Sequence, residues 1–392
     1  MREVVIVSAQ RTPIGDYLGA LKDVSAVDLG VIALKAVLEK ANLKASQIEE
    51  VVAGNVFQSG LKGNPARQVA LKAGCSMETV AVTINQLCPS SMRATEILSQ
   101  EIALGKVDIG AAVGMESMSN IPYLLQKARS GYRMGNGELV DAMLHDGLFD
   151  AFNDYHMGVT AENLAEMYNI SREEQDELAL LSHQRAIKAI QEGKFADEIV
   201  PVEIKTKKGS TVVDTDEHPN ASTSLEILGK LKPVFKKDGT VTAGNASGLN
   251  DGGSALILMA AEKAAELGIT PIAKIKSTAS AAVDPKIMGI GVVPAVQKAL
   301  KFAQLDIQDI DYWELNEAFA SQFLAVNREL KLGMEKVNAN GSGISLGHPV
   351  GDTGIRLIVT LLYEMRRRGV RYGCASLCAG GGPAVATIVE LV

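Results

Sequence analysis

The sequence predicts an α/β protein made of two similar halves with a long insertion between them. Apolar, β-branched segments of strand length alternate with helical segments along residues 1–117, and this alternation returns beyond residue 250. Such alternation is typical of a mostly parallel sheet with helices on its faces. The residues in between follow neither pattern. We therefore expect two related α/β units and one inserted unit.

The first half alternates strands and helices in a regular order. It opens with an apolar strand at residues 4–7, and further strands are predicted at 50–53, 80–84 and 109–113. Helices are predicted between them, at about 26–41, 65–73 and 90–104. This order predicts βαβ connections and hence parallel neighbours in the sheet.

The insertion has a different composition, rich in Tyr, Met, Gly and Asp, from about residue 117 to 250. One long helix is predicted near residues 172–192, and a charged hairpin near 202–213. Strand and helix patterns then resume at 255–259, 261–267 and 272–277. The insertion is interpreted as a unit that lies over the sheet edge.

The second half repeats the order of the first, which indicates a duplicated fold. The corresponding segments are 4–8 with 272–277, 51–55 with 312–316, 83–104 with 337–367, and 109–113 with 373–377. The predicted organisation is residues 1–117 plus 251–270 for the first half, 118–250 for the insertion, and 271–392 for the second half.

Composition excludes several classes of function. Hydrophobic residues make up 47% of the 392, charged residues 22%, and the net charge is −7, which suits a globular protein. The short basic clusters at 205–208 and 366–368 are interpreted as solvated surface, so nucleic acid is not an expected partner. No apolar run approaches the roughly 20 residues that span a bilayer, and no secretory signal is recognised.

Cysteine usage points to a reducing compartment. The four cysteines form no C-x-x-C pair, so neither a disulfide framework nor a metal site is expected. We expect a cytoplasmic protein with no membrane contact.

Three segments carry residue types suited to nucleophilic catalysis. Cys88 lies at a strand-to-helix turn in INQLCPSSMR (84–93), where the positive end of a helix favours a thiolate. His348 lies in a glycine-rich bend, NANGSGISLGHP (338–349). Cys378 precedes three glycines in CASLCAGGGP (374–383), where backbone N–H groups can face an oxyanion. Each segment alone is equally compatible with an ordinary structural role.

The predicted fold brings these residues together. Cys88, Asn316, His348 and Cys378 all follow or end predicted strands. Sites in open α/β sheets form beyond the carboxyl ends of strands, so two facing halves would place the four in one crevice.

With these segments in view, the chain resembles the thiolase family, in its bacterial biosynthetic branch, over essentially all 392 residues. Supporting runs are GNV (54–56), NPAR (64–67), YHMG (155–158), DEHP (216–219), GTVTAGNASG (239–248) and NEAF (316–319). The resemblance implies two halves with mixed five-stranded sheets in α-β-α-β-α layers, plus a loop domain.

The resemblance also implies a reaction, the reversible Claisen condensation of two acyl-CoA molecules, with acetyl-CoA giving acetoacetyl-CoA and CoA. Cys88 would carry the acyl group, His348 would activate it, and Cys378 would remove the Cα proton of the second substrate. One oxyanion pocket would use His348 and a water held by Asn316, and the other the N–H groups of Cys88 and Gly380.

The implied ligands are CoA and acyl-CoA as substrates, with no permanently bound cofactor and no metal. A homotetramer is implied by residues 123–141, which resemble the family's tetramerisation loop. The implied lining of the pantetheine tunnel is Leu148, His156, Met157, Ala243, Ala246, Ser247, Ala318 and Phe319.

The chain departs from the family pattern at several positions, among them Pro89, Ser91, Asn220, Ser342 and Asp352. Ser91 and Asp352, near two catalytic segments, motivate the hypothesis of a non-acetyl acyl preference. The alternatives are a 3-ketoacyl-CoA thiolase for longer chains, a ketoacyl-synthase-like enzyme, which would lack the second cysteine, and a non-catalytic CoA- or lipid-binding scaffold.

Overall fold

A computed structural model of the chain describes residues 1–206 and 209–392. The strands are β1 (Val4–Arg11), β2 (Gly15–Asp16), β3 (Glu50–Gly54), β4 (Val80–Ile84), β5 (Ile109–Ser117), β6 (Tyr123–Leu124), β7 (Val140–Asp141), β8 (Phe149–Asp150), β9 (Tyr155–His156), β10 (Val202–Thr206), β11 (Gly209–Val213), β12 (Asn250–Ala260), β13 (Ala273–Ala282), β14 (Tyr312–Leu315), β15 (Tyr372–Cys378) and β16 (Pro383–Leu391). The helices are α1 (Ala26–Lys40), α2 (Pro65–Ala73), α3 (Ser90–Ala103), α4 (Met157–Met167), α5 (Arg172–Gln191), α6 (Leu225–Gly229), α7 (Ala261–Glu266), α8 (Val292–Ala303), α9 (Ala320–Leu330), α10 (Gly343–Leu346) and α11 (Thr353–Arg368).

The strand order confirms the predicted duplication. The first half is ordered β4-β3-β5-β12-β1 and the second β14-β15-β16-β13, so each strand of the second has a counterpart in the first. β3 runs parallel to β5 as β14 does to β15, and β12 and β16 are both antiparallel to their neighbours. In the second half, a single parallel β-bridge between Trp313 and Val337 stands where the first half has β4. The halves join at β1 and β13 through only two residue pairs.

Helices α3 and α11 form a layer between the two halves. Their apolar side chains share one core cluster with strands of both halves. α11 is buried from Thr353 to Met365, and only its last turn is exposed. Its buried polar side chains, among them Arg356 and Thr360, lie within this covered part of the helix. α1 and α2 cover the outer face of the first half, and α8 and α9 that of the second. The result is the α-β-α-β-α layering that the family resemblance implied.

The inserted segment adds no strand to the main sheet among the residues that the structure describes. Its helices α4 and α5 pack on α9, and side chains of α4 share the core cluster of the second half. The predicted charged hairpin is present as β10 and β11. Residues 207 and 208, two lysines of the predicted basic cluster, lie outside the described residues.

Most predicted elements are found at or near their expected bounds, and some strands are longer than predicted. β5 and β12 each extend several residues beyond the predicted segments, because they pair with each other over nine positions. α3 begins at Ser90, as predicted, with Pro89 immediately before it. Within the described ranges, no helix is both long and apolar enough to cross a membrane.

Candidate active site

A mostly apolar cavity of about 420 Å³ lies where the inserted segment meets both halves. Its volume falls in the range typical of small-molecule sites, about 300–1,000 Å³. All eight residues expected to form the tunnel line it: Leu148, His156, Met157, Ala243, Ala246, Ser247, Ala318 and Phe319. Cys88, His348 and Gly380 also line it, so three of the five predicted catalytic residues open onto the same space.

The loop before α3 presents Cys88 to this cavity. Leu87 has φ of +55°, a left-handed conformation that side chains larger than glycine rarely adopt. Ser90 supports the turn, because its N–H donates to the Leu87 oxygen at 2.9 Å and its Oγ accepts the N–H of Gln86 at 2.9 Å. A strained backbone held by its surroundings is a frequent feature of functional sites.

Two opposing effects act on the pKa of the Cys88 thiol. Burial raises the pKa of the Cys88 thiol to about 12, while the backbone N–H groups of Cys88 and Gly380 act in the opposite direction. The two N–H groups predicted to form an oxyanion pocket thus converge on the Cys88 sulfur. Nucleophilic attack from such a thiol requires a base that takes its proton during the reaction.

His348 lines the same cavity as Cys88 and carries a neutral imidazole. It is 5% exposed, and burial together with the cation of Arg356 lowers the pKa of its imidazole to about 3, so the ring is neutral. Its Nδ1 lies 2.7 Å from Thr353 Oγ1, and its main-chain N–H donates to Asn250 Oδ1 at 2.8 Å. One contact thus holds the main chain of His348, and the other holds its imidazole ring.

Asn316 and Cys378, the other two predicted catalytic residues, are not among the residues that line the cavity. The Asn316 Nδ2 is 3.5 Å from His348 Nδ1 and 3.4 Å from Nε2. An atom in the ring plane at those distances would collide with Cε1, so the amide lies over the ring face. The Asn316 Oδ1 is buried and has no hydrogen-bond partner in the part of the chain that the structure describes.

Cys378 is the last residue of β15 and is 2% exposed. Burial raises its pKa, and the charge of Cys88 raises it further, which is a sign of proximity between the two sulfurs. All four cysteines are free. Two neighbouring thiols cannot both ionise easily, so ionisation of one opposes ionisation of the other.

Glu116, which the sequence analysis did not single out, connects the loops around the site. Its carboxylate accepts hydrogen bonds from the N–H groups of Val56 at 2.9 Å and Gly351 at 3.0 Å, and from Asn55 Nδ2 at 2.7 Å. These donors belong to the segment after β3 and the segment after His348. The available signal was an acidic residue shortly after the apolar strand predicted at residues 109–113.

Two departures from the family pattern lie outside the cavity. Ser91 and Asp352 are buried and are not among its lining residues. They contact each other where α3 meets the start of α11. The hypothesis that they narrow or polarise the site for a non-acetyl group therefore loses its structural basis.

The other departures also have local roles. Ser342 Oγ donates to the oxygen of Leu315 at 3.0 Å. Asn220 donates its main-chain N–H to His183 Nδ1 at 3.2 Å. Among residues 1–206 and 209–392, no cluster of three or more His, Cys, Asp or Glu side chains could hold a metal ion.

Comparison with known proteins identifies the family of the chain. Two family models match, the thiolase N-terminal domain over residues 4–262 and the thiolase C-terminal domain over residues 269–391. The chain belongs to the thiolase family and is an enzyme of the acyltransferase class.

Individual relatives cover the whole chain. An acetyl-CoA acetyltransferase of Syntrophomonas wolfei is 53% identical over 99% of both chains, and one of Escherichia coli is 50% identical over 100% of this chain and 99% of that one. The solved structure of an acetyl-CoA acetyltransferase from Syntrophomonas wolfei matches with TM-score 0.98 and 51% identity over 100% of both chains. Human mitochondrial 3-ketoacyl-CoA thiolase matches with TM-score 0.97 and 45% identity, covering 100% of this chain and 99% of the other.

Proposed function

We propose that this chain is an acetyl-CoA C-acetyltransferase that converts two acetyl-CoA molecules reversibly to acetoacetyl-CoA and CoA. The observation that carries the proposal is the convergence of Cys88, His348 and Gly380 on one apolar cavity. Acetyl-CoA acetyltransferases that are 50–53% identical over the full length support the choice of substrate.

In the first half-reaction, His348 takes the proton of Cys88 as the sulfur attacks the thioester carbonyl of an acyl-CoA. The tetrahedral oxyanion accepts hydrogen bonds from the N–H groups of Cys88 and Gly380. Their lowering effect on the pKa of the Cys88 thiol supports this assignment. The intermediate collapses to acyl-Cys88, and CoA thiolate leaves with the proton from His348.

In the second half-reaction, the Cys378 thiol gives its proton to His348, and the resulting thiolate removes a Cα proton from a second acetyl-CoA. The enolate oxygen accepts hydrogen bonds from the protonated His348 and from a water, for which the unpartnered Oδ1 of Asn316 is the proposed anchor. The enolate carbon attacks acyl-Cys88, the new carbon–carbon bond forms, and the Cys88 sulfur leaves with the proton from His348. Thiolysis is the reverse sequence, with CoA consuming the 3-ketoacyl thioester.

The lining residues away from Cys88 are proposed to hold the pantetheine arm of CoA. The His156 ring stacks on Phe235 at 4.5 Å between centroids, and its Nδ1 accepts the N–H of Gly158 at 3.0 Å. The proton of the neutral ring is then on Nε2, which leaves a hydrogen-bond donor in a largely apolar wall. Ser247 supplies a hydroxyl in the same wall. These polar groups suit the amides of pantetheine.

A 3-ketoacyl-CoA thiolase for longer acyl chains is the second candidate. Cys88 packs against an apolar cluster that includes Val56, Phe57, Met118 and Val350, and these residues line the cavity. An apolar wall next to the acylated sulfur favours an alkyl chain over a polar one.

A homotetramer is proposed from two exposed features. β4 ends the main sheet, with Val80 and Val82 exposed, so its free edge can pair with a second copy. Residues 123–141 expose large apolar side chains, among them Tyr123, Leu125 and Met134, which suit a second contact between dimers. A cytoplasmic location is proposed because all four thiols are free.

The test is a thiolysis assay that follows the loss of acetoacetyl-CoA, 3-ketohexanoyl-CoA and 3-ketodecanoyl-CoA in the presence of CoA. The proposal predicts the highest kcat/KM with acetoacetyl-CoA and no turnover by Cys88→Ala. A preference for the longest substrate would select the second candidate. Absence of turnover by folded wild-type protein that binds CoA would favour a non-catalytic scaffold.

A further inference from the structure

We propose that Thr353 is a positioning residue that fixes the tautomer of His348, with the proton on Nδ1 and the lone pair on Nε2. This inference rests on the proposed function, because a free Nε2 lone pair is what a base for the Cys88 proton needs. The opposite tautomer would present an N–H group to the reacting sulfur.

The hydrogen bonds of the Thr353 hydroxyl determine the direction. Thr353 Oγ1 lies 3.0 Å from the main-chain oxygen of Pro349 and 2.7 Å from His348 Nδ1. A hydroxyl has one proton, and a carbonyl oxygen only accepts. With the hydroxyl proton donated to the Pro349 oxygen, which also accepts the N–H of Asp352 at 2.9 Å, a lone pair of Oγ1 faces Nδ1. The Nδ1 is then the donor of the hydrogen bond to Thr353.

The start of α11 gives this hydroxyl a fixed place. Thr353 is the first residue of the helix, and its own N–H also donates to the Pro349 oxygen, at 3.0 Å. A hydroxyl that bonds to the carbonyl four residues earlier is a known arrangement for Thr in helices. The turn that links His348 to α11 therefore fixes the positions of both the Thr353 hydroxyl and the His348 imidazole.

The rest of the surroundings leaves Thr353 as the hydrogen-bond partner of Nδ1 in the ring plane. Asn316 lies over the ring face, and Asn250 binds the His348 main-chain N–H and not the ring. Gly347 has φ of +104°, and an added Cβ there would lie 2.6 Å from the Asn250 Cγ, so this backbone is held in close contact with Asn250. The imidazole cannot turn away without breaking these contacts.

The charges that face His348 set its protonation state but not its tautomer. From α11 the cation of Arg356 lowers the pKa of His348, after burial as the main cause. Asn250 of β12 and Asn316, which follows β14, are uncharged. Cys88, in the loop before α3, is also uncharged, because burial keeps its thiol protonated. With the ring neutral, the position of its single proton depends on the partner of Nδ1.

The experiment compares Thr353→Val, which keeps the shape and removes the hydroxyl, with Thr353→Ser, which keeps the hydroxyl. Thr360→Val is the matched control, since Thr360 is a buried threonine of the same helix whose Oγ1 bonds to Glu198 Oε1 at 3.0 Å. Three readouts are taken: kcat for thiolysis, the rate of Cys88 alkylation by iodoacetamide without any acyl-CoA, and the ¹⁵N spectrum of histidine-labelled protein. His348→Asn assigns the His348 signals.

The expected result is a protonated Nδ1 and an unprotonated Nε2 in the wild type, with both tautomers present in Thr353→Val. In Thr353→Val, kcat and the alkylation rate fall about 10–100-fold, because the variant loses part of the rate enhancement that a positioned base provides. Thr353→Ser recovers both, and Thr360→Val keeps the wild-type values. A wild-type spectrum with the proton on Nε2 would overturn the proposal, as would equal rates for Thr353→Val and Thr360→Val.

Two outcomes separate this proposal from the proposed function. If wild-type protein shows no thiolysis but Thr353→Val still slows alkylation of Cys88, the positioning role holds and the proposed function fails. If Thr353→Val does not fold, the wild-type spectrum alone decides the tautomer.

Discussion

Ser91 Oγ donates a hydrogen bond to the main-chain oxygen of Asp352 at 2.9 Å, and it accepts the N–H of Ile355 at 3.0 Å. Ser91 is in the first turn of α3, and Ile355 is in the first turn of α11. One hydroxyl thus ties together the helices that follow Cys88 and His348. Two departures from the family pattern meet at a junction between helices.

Replacement of Ser91 by Ala is expected to lower stability without changing acyl preference. The change removes two hydrogen bonds of the Ser91 hydroxyl, while the Ile355 N–H keeps the Asp352 oxygen as an acceptor at 3.2 Å. At about 0.5–1.5 kcal/mol for each hydrogen bond, the expected loss of unfolding free energy is about 1–3 kcal/mol. Because Ser91 does not line the cavity, the ratio of kcat/KM for acetoacetyl-CoA and a longer 3-ketoacyl-CoA stays as in the wild type. Chemical denaturation and steady-state kinetics measure the two effects.

The control for that variant is Ser99→Ala, in the same helix. Ser99 is also buried, but its Oγ donates only to the Glu96 oxygen, at 2.8 Å, so a smaller loss of stability is expected. A changed substrate ratio in Ser91→Ala alone would restore the hypothesis that this position selects the acyl group.

Cys378→Ala is expected to separate the two half-reactions. Acylation of Cys88 by acetyl-CoA needs no Cα proton transfer, so exchange of the acetyl group with labelled CoA continues. Thiolysis of acetoacetyl-CoA falls by about 10²–10⁴-fold, the usual contribution of an acid or base. Isotope exchange and thiolysis are measured on the same preparation.

Cys374→Ala is the matched control, four residues earlier in the same strand. Cys374 is fully buried, and burial alone raises the pKa of its thiol, whereas Cys88 also acts on that of Cys378. Replacement of Cys374 is therefore expected to affect stability and to leave both rates near those of the wild type. Loss of isotope exchange in Cys378→Ala would show that Cys378 is needed already for acylation.

Stability is expected to depend on His348 at acid pH. Burial and Arg356 lower its pKa from 6.5 to about 3, so between these values the unfolded chain binds a proton that the folded chain does not. The contribution of His348 is therefore fully present above pH 6.5 and is lost as the pH falls towards 3, with a slope of up to about 1.4 kcal/mol per pH unit.

The measurement is the free energy of unfolding against pH for wild type and His348→Asn. The variant is expected to lose stability less steeply between pH 6 and 4. His145→Asn is the control, because half of the His145 side chain is exposed, at 52%. Parallel curves for wild type and His348→Asn would contradict the depressed pKa.

Gly380→Ala is expected to weaken both CoA binding and catalysis. A Cβ at this position would lie 2.3 Å from the Met157 Cε and 3.1 Å from the Leu87 Cδ1. Met157 must move within the cavity wall, and the Gly380 N–H shifts relative to the Cys88 sulfur. We expect a higher KM for CoA and a kcat reduced by about 10-fold or more, since loss of an oxyanion donor costs about 10²–10³-fold.

Gly63→Ala controls for the effect of an added methyl group, because nothing lies within 4 Å of a Cβ there. Its kinetic constants are expected to match the wild type. An unchanged kcat in Gly380→Ala would argue that its N–H does not stabilise the oxyanion.

Local patterns were sufficient to predict the elements that position the site. Cys88 before α3 and Cys378 at the end of β15 were recognised because strands, glycines and helix starts are short-range features. The duplication was visible because both halves repeat the same order of elements. The family resemblance then identified the cavity lining, including Leu148 and Phe319, which no local pattern distinguishes from core residues.

The supporting contacts could not be predicted in this way, because they join distant parts of the chain. Asn250 and His348 are 98 residues apart, and Glu116 and Gly351 are 235 apart. A polar residue in an apolar strand shows that a partner exists, but not which one. Pairings of this kind depend on how the layers stack, which only the folded structure shows.

The central claim is that Cys88 carries the acyl group, and trapping that intermediate tests it most directly. The enzyme is mixed with acetoacetyl-CoA, quenched in acid within milliseconds, digested, and examined by mass spectrometry. The account predicts an acetyl group on the peptide that contains Cys88, absent in Cys88→Ala and lost when free CoA is added before the quench. An acetyl group on Cys378 with Cys88 unmodified, or a wild-type enzyme that turns over without any acylated cysteine, would contradict it.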